Sequence, residues 1–236
     1  MPVSISYLQT PTSTTDASSY TFSAQSIGTA ASDRYIAVAV AGRIAAASLT
    51  ISSVTIGGVS ATIVKQQSST GAASGATATT CVGIAIAAVP TGTTGDVVVT
   101  FSATSLRCIC SMWRLSNTTS GTANGSQSST ATPPSAGVGI TTDGAAIGMV
   151  AAGFTVTPTV SWTNLTSQYD ASTEALRVSS ASDALTTAET RTITGTFSGT
   201  VFEPVGVFAS WSAADYVGLV GSGLVGANPL VSWGLA

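Results

Sequence analysis

Large and small side chains alternate with a period of two residues along most of this chain. In 36–41 an isoleucine and two valines take one side and alanines take the other, and 82–87 repeats this arrangement. Successive side chains of an extended strand point to opposite faces, so this period predicts β-strands. In 191–197 the threonines alternate with apolar residues and are predicted to point outward. No stretch has the spacing of an amphipathic helix, and the sequence therefore predicts an all-β protein.

The small side of these strands is apolar rather than charged. Solvated faces of antiparallel sheets usually carry Lys, Glu and Arg, whereas charged residues make up 7% of this chain against about 25% in ordinary domains. Either another layer covers the alanine-lined faces, or they are offered to a neighbouring subunit. The scarcity of charge favours packing against a subunit.

A weak internal duplication relates the two halves of the chain, roughly 15–115 and 135–213. The run 100–104 (TFSAT) recurs as 196–200 (TFSGT), and each is followed by an apolar strand that ends at a tryptophan. Two arrangements fit: tandem small sandwiches, or one sandwich whose halves each contribute strands to both sheets. Since neither half shows more than about five clear strands, we favour a single jelly-roll-like antiparallel β-sandwich with pseudo-duplicated halves.

This interpretation divides the chain into an N-terminal segment (1–14), a β-sandwich domain (15–213) and a C-terminal tail (214–236). The Ser/Thr/Gly-rich stretch 117–135 is expected to be a long surface connection. Glycines interrupt the apolar tail, so we expect it to dock on a protein surface rather than cross a membrane. Docking on this chain and docking on another subunit both remain open. The candidate docking residues are Tyr216, Leu219, Leu224, Leu230 and Trp233.

The composition argues against catalysis. The chain has no histidine, which excludes Ser–His–Asp and Cys–His arrangements, and its one lysine, Lys65, lies in an exposed-looking stretch. The acids Asp170 and Glu174 lie in what reads as a solvated loop, and Glu203 is the remaining candidate for a carboxylate pair. We expect no catalytic residues, no metal site and no cofactor.

The cysteines are expected to be small buried hydrophobic residues rather than metal ligands or disulfides. Cys108 and Cys110 are two residues apart and are predicted to share one face of a strand. Cys81 precedes the separate apolar run 82–87. The net charge of -3 and the scattered arginines argue against a nucleic-acid partner.

The tryptophans offer a second kind of site. Trp113 and Trp211 end strands at matched points and are expected in the core. Trp162, with Asn164 and Tyr169 nearby, is a candidate glycan-binding surface, because an aromatic ring with amide and hydroxyl neighbours suits a sugar. Packing in a core or loop is the alternative for Trp162 and Tyr169.

Several strand-and-turn phrases carry a resemblance to a known family. They are 33–40 (DRYIAVAV), 54–59 (VTIGGV), 88–94 (AVPTGTT), 98–102 (VVTFS), 142–145 (TDGA) and 194–199 (TGTFSG). Over roughly 15–213 the chain resembles a family of tailed-bacteriophage virion proteins. The resemblance implies a β-sandwich of a capsid decoration, head fibre or tail-surface adhesin, and it carries no active-site motif.

We therefore expect a non-enzymatic, homo-oligomeric protein on the outer surface of a phage particle. As a capsid decoration it would be held by apolar contacts to sister copies and to other virion proteins such as the major capsid protein. The alternative is a carbohydrate-binding adhesin whose partner is a host surface polysaccharide. Neither interpretation includes a nucleic-acid or membrane partner.

Overall fold

The computed structural model describes residues 1–73 and 76–214, and these form eighteen β-strands and no helix. The strands are β1 Ser4–Gln9, β2 Thr12–Ser13, β3 Ala17–Ser26, β4 Tyr35–Ile44, β5 Ile51–Ile56, β6 Val59–Ser60, β7 Thr62–Ala73, β8 Ala76–Ala88, β9 Thr94–Ser105, β10 Arg107–Ser116, β11 Gly125–Ser129, β12 Ser135–Ile140, β13 Ala145–Phe154, β14 Val160–Thr163, β15 Thr166–Thr173, β16 Leu176–Ala184, β17 Glu189–Phe197 and β18 Val201–Trp211.

The strands form four antiparallel sheets. We call β3-β9-β5-β6 the N-outer sheet, and β1-β10-β4-β8-β7, with β2 beside β10, the N-inner sheet. The C-inner sheet is β11-β18-β13-β16-β15, and the C-outer sheet is β12-β17-β14. Three separate apolar cores lie between successive sheets in the order N-outer, N-inner, C-inner, C-outer. The described chain is thus a stack of four layers.

The two halves have the same topology. In the N-inner and C-inner sheets the order β1-β10-β4-β8-β7 matches β11-β18-β13-β16-β15, and in the outer sheets β3-β9-β5 matches β12-β17-β14. The predicted antiparallel β-sandwich class and the pseudo-duplication are confirmed. The TFSAT and TFSGT runs fall at the ends of the matching strands β9 and β17.

The detailed arrangement differs from the favoured one. Every sheet draws its strands from one half only, so the chain forms two tandem sandwiches packed face to face. The single-sandwich interpretation was wrong because it counted too few strands in each half. In the second half, β11 shows no apolar alternation and β14 is only four residues long, so neither was counted as a strand.

The alanine-lined faces meet inside the molecule. Ala37, Ala39 and Ala41 of β4 are fully buried in the core between the two inner sheets, opposite residues such as Ala145 and Ala151 of β13. Another subunit was expected here, but the second half of the same chain supplies the covering layer. The central strands β4, β13 and β18 are consequently buried on both faces, which explains why they read as nearly continuous apolar runs.

Four local predictions need correction. The 117–135 stretch is not only a connection, because it contains β11, which pairs with β18. The predicted loop around Asp170 is strand β15, and Lys65 lies half-buried in β7 rather than in an exposed stretch. The N-terminal segment likewise contributes β1, at the edge position that matches β11.

Candidate docking faces

The C-outer sheet presents a row of hydroxyl groups to solvent. In β17 the inward Ile193 is buried, while Thr190, Thr192 and Thr196 are exposed, as the alternation predicts. Neighbouring strands continue the pattern, because Thr194 is paired with Ser135 on β12 and with Thr163 on β14. The Ser135 and Thr194 hydroxyls are 2.7 Å apart and share a hydrogen bond.

The N-outer sheet presents an equivalent face. Val97, Val99 and Phe101 of β9 point into the core, so the intervening residues point outward. Thr100 is paired with Ser19 on β3 and with Ser53 on β5, which makes a row of three hydroxyl side chains across the sheet. Ser19 and Thr100 are linked by a hydrogen bond of 3.3 Å.

These two faces lie on opposite sides of the stack. Adjacent hydroxyls are separated by about 4.8 Å across the strands and by about 6.7 Å along each strand, as in any regular sheet. Thr100 and Thr196 hold the same place in the repeated TFSAT and TFSGT runs. The duplication therefore produces two similar hydroxyl-lined surfaces, of which the N-outer one also carries the exposed Asp96 of β9. The sequence predicted the threonine row of β17. It did not predict the hydroxyl face of the N-outer sheet, because Val98 and several serines interrupt the alternation of threonine with apolar residues there.

Several charged side chains form ion pairs that connect different strands. Arg43 of β4 and Glu203 of β18 form a buried ion pair between the two halves, with 3.2 Å between Nη2 and Oε2. The Glu203 side chain is completely inaccessible to solvent. A Cβ added to Gly153 would lie 2.8 Å from both Arg43 Nη2 and Glu203 Oε2, so glycine leaves the space that the pair occupies.

The two other candidate carboxylates are also paired with arginines. Arg107 contacts Glu174 at 2.8 Å and donates a hydrogen bond to the Thr173 carbonyl, which again joins the N-inner sheet to the C-terminal half. Arg177 pairs with Asp170. Burial lowers the pKa of the Arg107 guanidinium, and the neighbouring Glu174 carboxylate opposes that shift. Each of the three acids is thus paired with its own arginine.

The cysteines lie in the core between the two N-terminal sheets, as predicted. All three are buried and free, and the Cys108 and Cys110 sulfurs are 3.7 Å apart on one face of β10. Burial raises the pKa of the Cys81 thiol to about 11 and raises that of Cys108 well above its ordinary value. Within the described ranges, no three His, Cys, Asp or Glu side chains are grouped so that they could hold a metal ion.

The candidate glycan-binding residues do not share a surface. Trp162 packs edge-on against Phe208 in the core between the C-inner and C-outer sheets, and its indole donates a 2.8 Å hydrogen bond to Ser179. Tyr169 packs on the other side of the C-inner sheet, against the core shared by the halves. Asn164 is exposed beside Trp162 and donates to the Thr192 carbonyl. One sheet therefore separates Trp162 from Tyr169.

The other tryptophans lie in the core, as predicted. Trp113 and Trp211 are fully buried between the inner sheets. The Trp113 indole donates to Ser182, and that of Trp211 donates to the Gly121 carbonyl. The predicted docking residues of the tail lie outside the described residues: Tyr216, Leu219, Leu224, Leu230 and Trp233.

Apolar groups are sparse on the described surface. The exposed large hydrophobic side chains of residues 1–73 and 76–214 are Met1, Val59 and Val156, which lie in different parts of the chain. The same residues include no helix long and hydrophobic enough to span a bilayer.

Comparison with known proteins adds no relative. No family model, curated protein or solved structure matches this chain.

Proposed function

We propose that this protein is a non-enzymatic structural component of a tailed-bacteriophage particle, carried on its outer surface as a capsid decoration. Its partners would be sister copies and other virion proteins, such as the major capsid protein. The resemblance of the strand-and-turn phrases to phage virion proteins supports this class, and the uncharged threonine row of the C-outer sheet supports a role in docking.

One observation carries the proposal: two hydroxyl-lined faces lie on opposite sides of the four-layer stack, and the threonine row of the C-outer face is free of charged side chains. A flat face with short side chains can approach another flat surface closely, and burying threonine costs little side-chain entropy compared with long charged residues. Two such faces allow one copy to contact partners on both sides. The proposal therefore places the contacts on these outer faces, since the alanine-lined walls are covered within the chain.

Uncharged contacts have a characteristic response to salt. Attraction between exposed charges weakens as the Debye length falls from about 10 Å at 0.1 M salt to about 3 Å at 1 M. Contacts through threonine and serine rows lose little over this range. Binding that survives high salt is thus a property that the proposal requires.

The test is co-sedimentation of the purified full chain with tailed-phage heads from which it has been removed. The wild-type chain is expected to sediment with the heads at both 0.1 M and 1 M salt. Thr192→Lys with Thr196→Lys places two charges at the centre of the C-outer face and is expected to abolish the binding. No sedimentation of the wild-type chain at either salt concentration would contradict the proposal.

A matched control separates the face from general charge effects. Val156→Lys with Thr157→Lys adds the same charge at two exposed positions outside the outer sheets. This variant is expected to bind heads as the wild type does. Equal loss of binding in both variants would show that net charge matters, and the proposed face would be wrong.

A further inference from the structure

A groove lies where the two halves meet at one end of the stack. Its lining comes from β4, β6, β7 and β8 of the N-terminal half and from residues of the 121–126 stretch, which leads into β11 of the C-terminal half. Its volume of about 550 Å³ is within the range of about 300–1,000 Å³ that is typical of small-molecule sites. The groove is thus formed by both sandwiches together.

A β-bulge shapes the apolar wall of this groove. The pairing of β7 with β8 shifts by one residue between Ile63 and Lys65, so Val64 is the extra residue of the bulge. Consecutive side chains of a regular strand point to opposite faces, whereas Ile63 and Val64 both line the groove. Bulges re-aim side chains in this way and are common beside functional sites.

Several parts of the groove have no counterpart in the other half of the duplication. Val59 and Ser60 belong to β6, the fourth strand of the N-outer sheet, whereas the C-outer sheet has three strands in the described chain. Tyr35 is the first residue of β4, and the matching strand β13 begins with Ala145. Because the two halves share one topology without these features, the fold itself does not require them.

The Tyr35 ring is placed against a glycine from the other half. A Cβ built on Gly121 would lie 2.9 Å from Tyr35 Cε1, so any larger residue there would displace the ring. The Gly121 carbonyl accepts a 3.2 Å hydrogen bond from the indole of the buried Trp211, which fixes this turn. The half-buried ring is therefore held as part of the groove wall.

The lining combines apolar surface with hydroxyl groups. Its hydroxyl side chains besides Tyr35 are Ser60, Thr62, Thr122 and Ser126, and none of the described lining residues carries a charge. An ionic ligand would lose its hydration here without gaining a counter-ion. A purely apolar ligand would cover hydroxyl groups and leave them without hydrogen-bond partners. The groove chemistry therefore favours a neutral ligand that has one apolar face and several hydroxyl groups.

We propose that the groove binds a neutral saccharide of one or two rings. The C–H face of a sugar ring would pack on Tyr35 and Val59, because the face of an aromatic ring is electron-rich. The sugar hydroxyls would bond to the serine and threonine side chains of the lining. This inference does not rest on the proposed virion function, because the groove is separate from the hydroxyl rows of the two outer sheets.

Saturation-transfer difference NMR of the full chain with lactose, maltose and cellobiose tests the inference. The method detects weak binding and reports which sugar protons contact the protein. At least one disaccharide is expected to receive saturation, most strongly at the C–H groups of one ring face. Glucuronate is the charged control and is expected to receive none. Absence of transfer to all three disaccharides would overturn the inference, as would equal transfer to glucuronate.

Two variants test whether the sugar lies in the groove. Tyr35→Ala removes the aromatic wall, and Val59→Asp places a carboxylate at an exposed lining position. Each is expected to raise the dissociation constant of the bound disaccharide by about tenfold or more, which corresponds to about 1.4 kcal/mol. Val156→Asp is the control, because it adds the same charge at an exposed position outside the groove, and it is expected to bind as the wild type does.

Thermal unfolding of each variant checks that the fold is retained. Since Val59 is exposed, Val59→Asp gives a clear result even where the loss of the Tyr35 ring disturbs folding. Unchanged affinity in the folded Val59→Asp protein would overturn the inference. An equal loss of affinity in Val156→Asp would also overturn it, because the effect would then come from net charge rather than from the groove.

Discussion

The buried Arg34 side chain is held by backbone carbonyl groups. The Arg34 guanidinium is almost fully buried and donates to the carbonyls of Val89, Thr91, Ile27 and Gly28, which holds the start of β4 against the turns around it. Burial lowers the pKa of this guanidinium. The Arg34 side chain thus stabilises the surrounding turns by hydrogen bonds to their backbone carbonyls, in a chain with few charged residues.

The Arg43–Glu203 pair provides the first prediction. Glu203→Gln removes the negative charge and leaves Arg43 buried without a counter-ion, so the free energy of unfolding should fall by about 3–5 kcal/mol. Glu189→Gln is the control, because its pair with Arg191 is partly exposed and such pairs contribute about 0–1 kcal/mol. Urea unfolding of both variants measures the difference. Equal, small losses would show that the pair does not join the halves.

The Cys81 thiol predicts a dependence on alkaline pH. The unfolded chain loses this proton near the ordinary pKa of 9.0, whereas the folded chain keeps it until about 11. The unfolded state binds fewer protons in this window, so stability is fully present below pH 9 and falls as the pH rises, by about 1.4 kcal/mol per pH unit. Urea unfolding at pH 8, 9 and 10 should show a shallower fall for Cys81→Ala. An identical slope would contradict the burial of this thiol.

At the scale of the element, β4 shows how closely two sheets pack. Gly42 lies beside Cys81 on β8 and Cys108 on β10, and a Cβ built on it would be 2.7 Å from the Phe101 ring. Because Phe101 belongs to the N-outer sheet, this glycine sets how near that sheet can come to β4.

Gly42→Ala is accordingly expected to destabilise the protein by about 1–3 kcal/mol through overpacking. Gly139→Ala is the matched control, since an added methyl group there meets no atom within 4 Å, and the loss of unfolded-state freedom should make it neutral or slightly stabilising. Differential scanning calorimetry of the two variants tests this pair. A Gly42→Ala protein as stable as the wild type would rule out the close approach.

The strands that were predictable from the sequence are the ones with a strong apolar period. β4, β13 and β18 are buried along most of their length, and in β4 and in residues 82–87 of β8 large and small residues alternate clearly. β11 has no apolar alternation and forms because β18 offers a backbone partner, whereas β14 alternates but is too short at four residues to be recognised. The Arg43–Glu203 pair joins residues 160 positions apart, so no local pattern could predict it.

At the scale of the whole molecule, the stacking of the two sandwiches depends on the inner faces. β18 packs across β7 and β8, and β10 contacts β16 through the Ser111–Ser180 hydroxyl pair at 2.8 Å. β10 and β18 hold matching positions in the two halves. Each of them therefore packs against the inner sheet of the other half. The covered alanine faces account for the low charge of the chain, which the sequence alone had assigned to contact between subunits.

The central claim is that these alanine-lined inner sheets are buried against each other within one chain. Hydrogen–deuterium exchange of the purified protein, followed by mass spectrometry, measures this directly, because backbone amides of the most buried strands exchange slowest. The account predicts that peptides from β4 and β13 are the most protected, more so than those from β3 and β14 of the outer sheets. Exchange of β4 and β13 at the rate of the outer strands would contradict it.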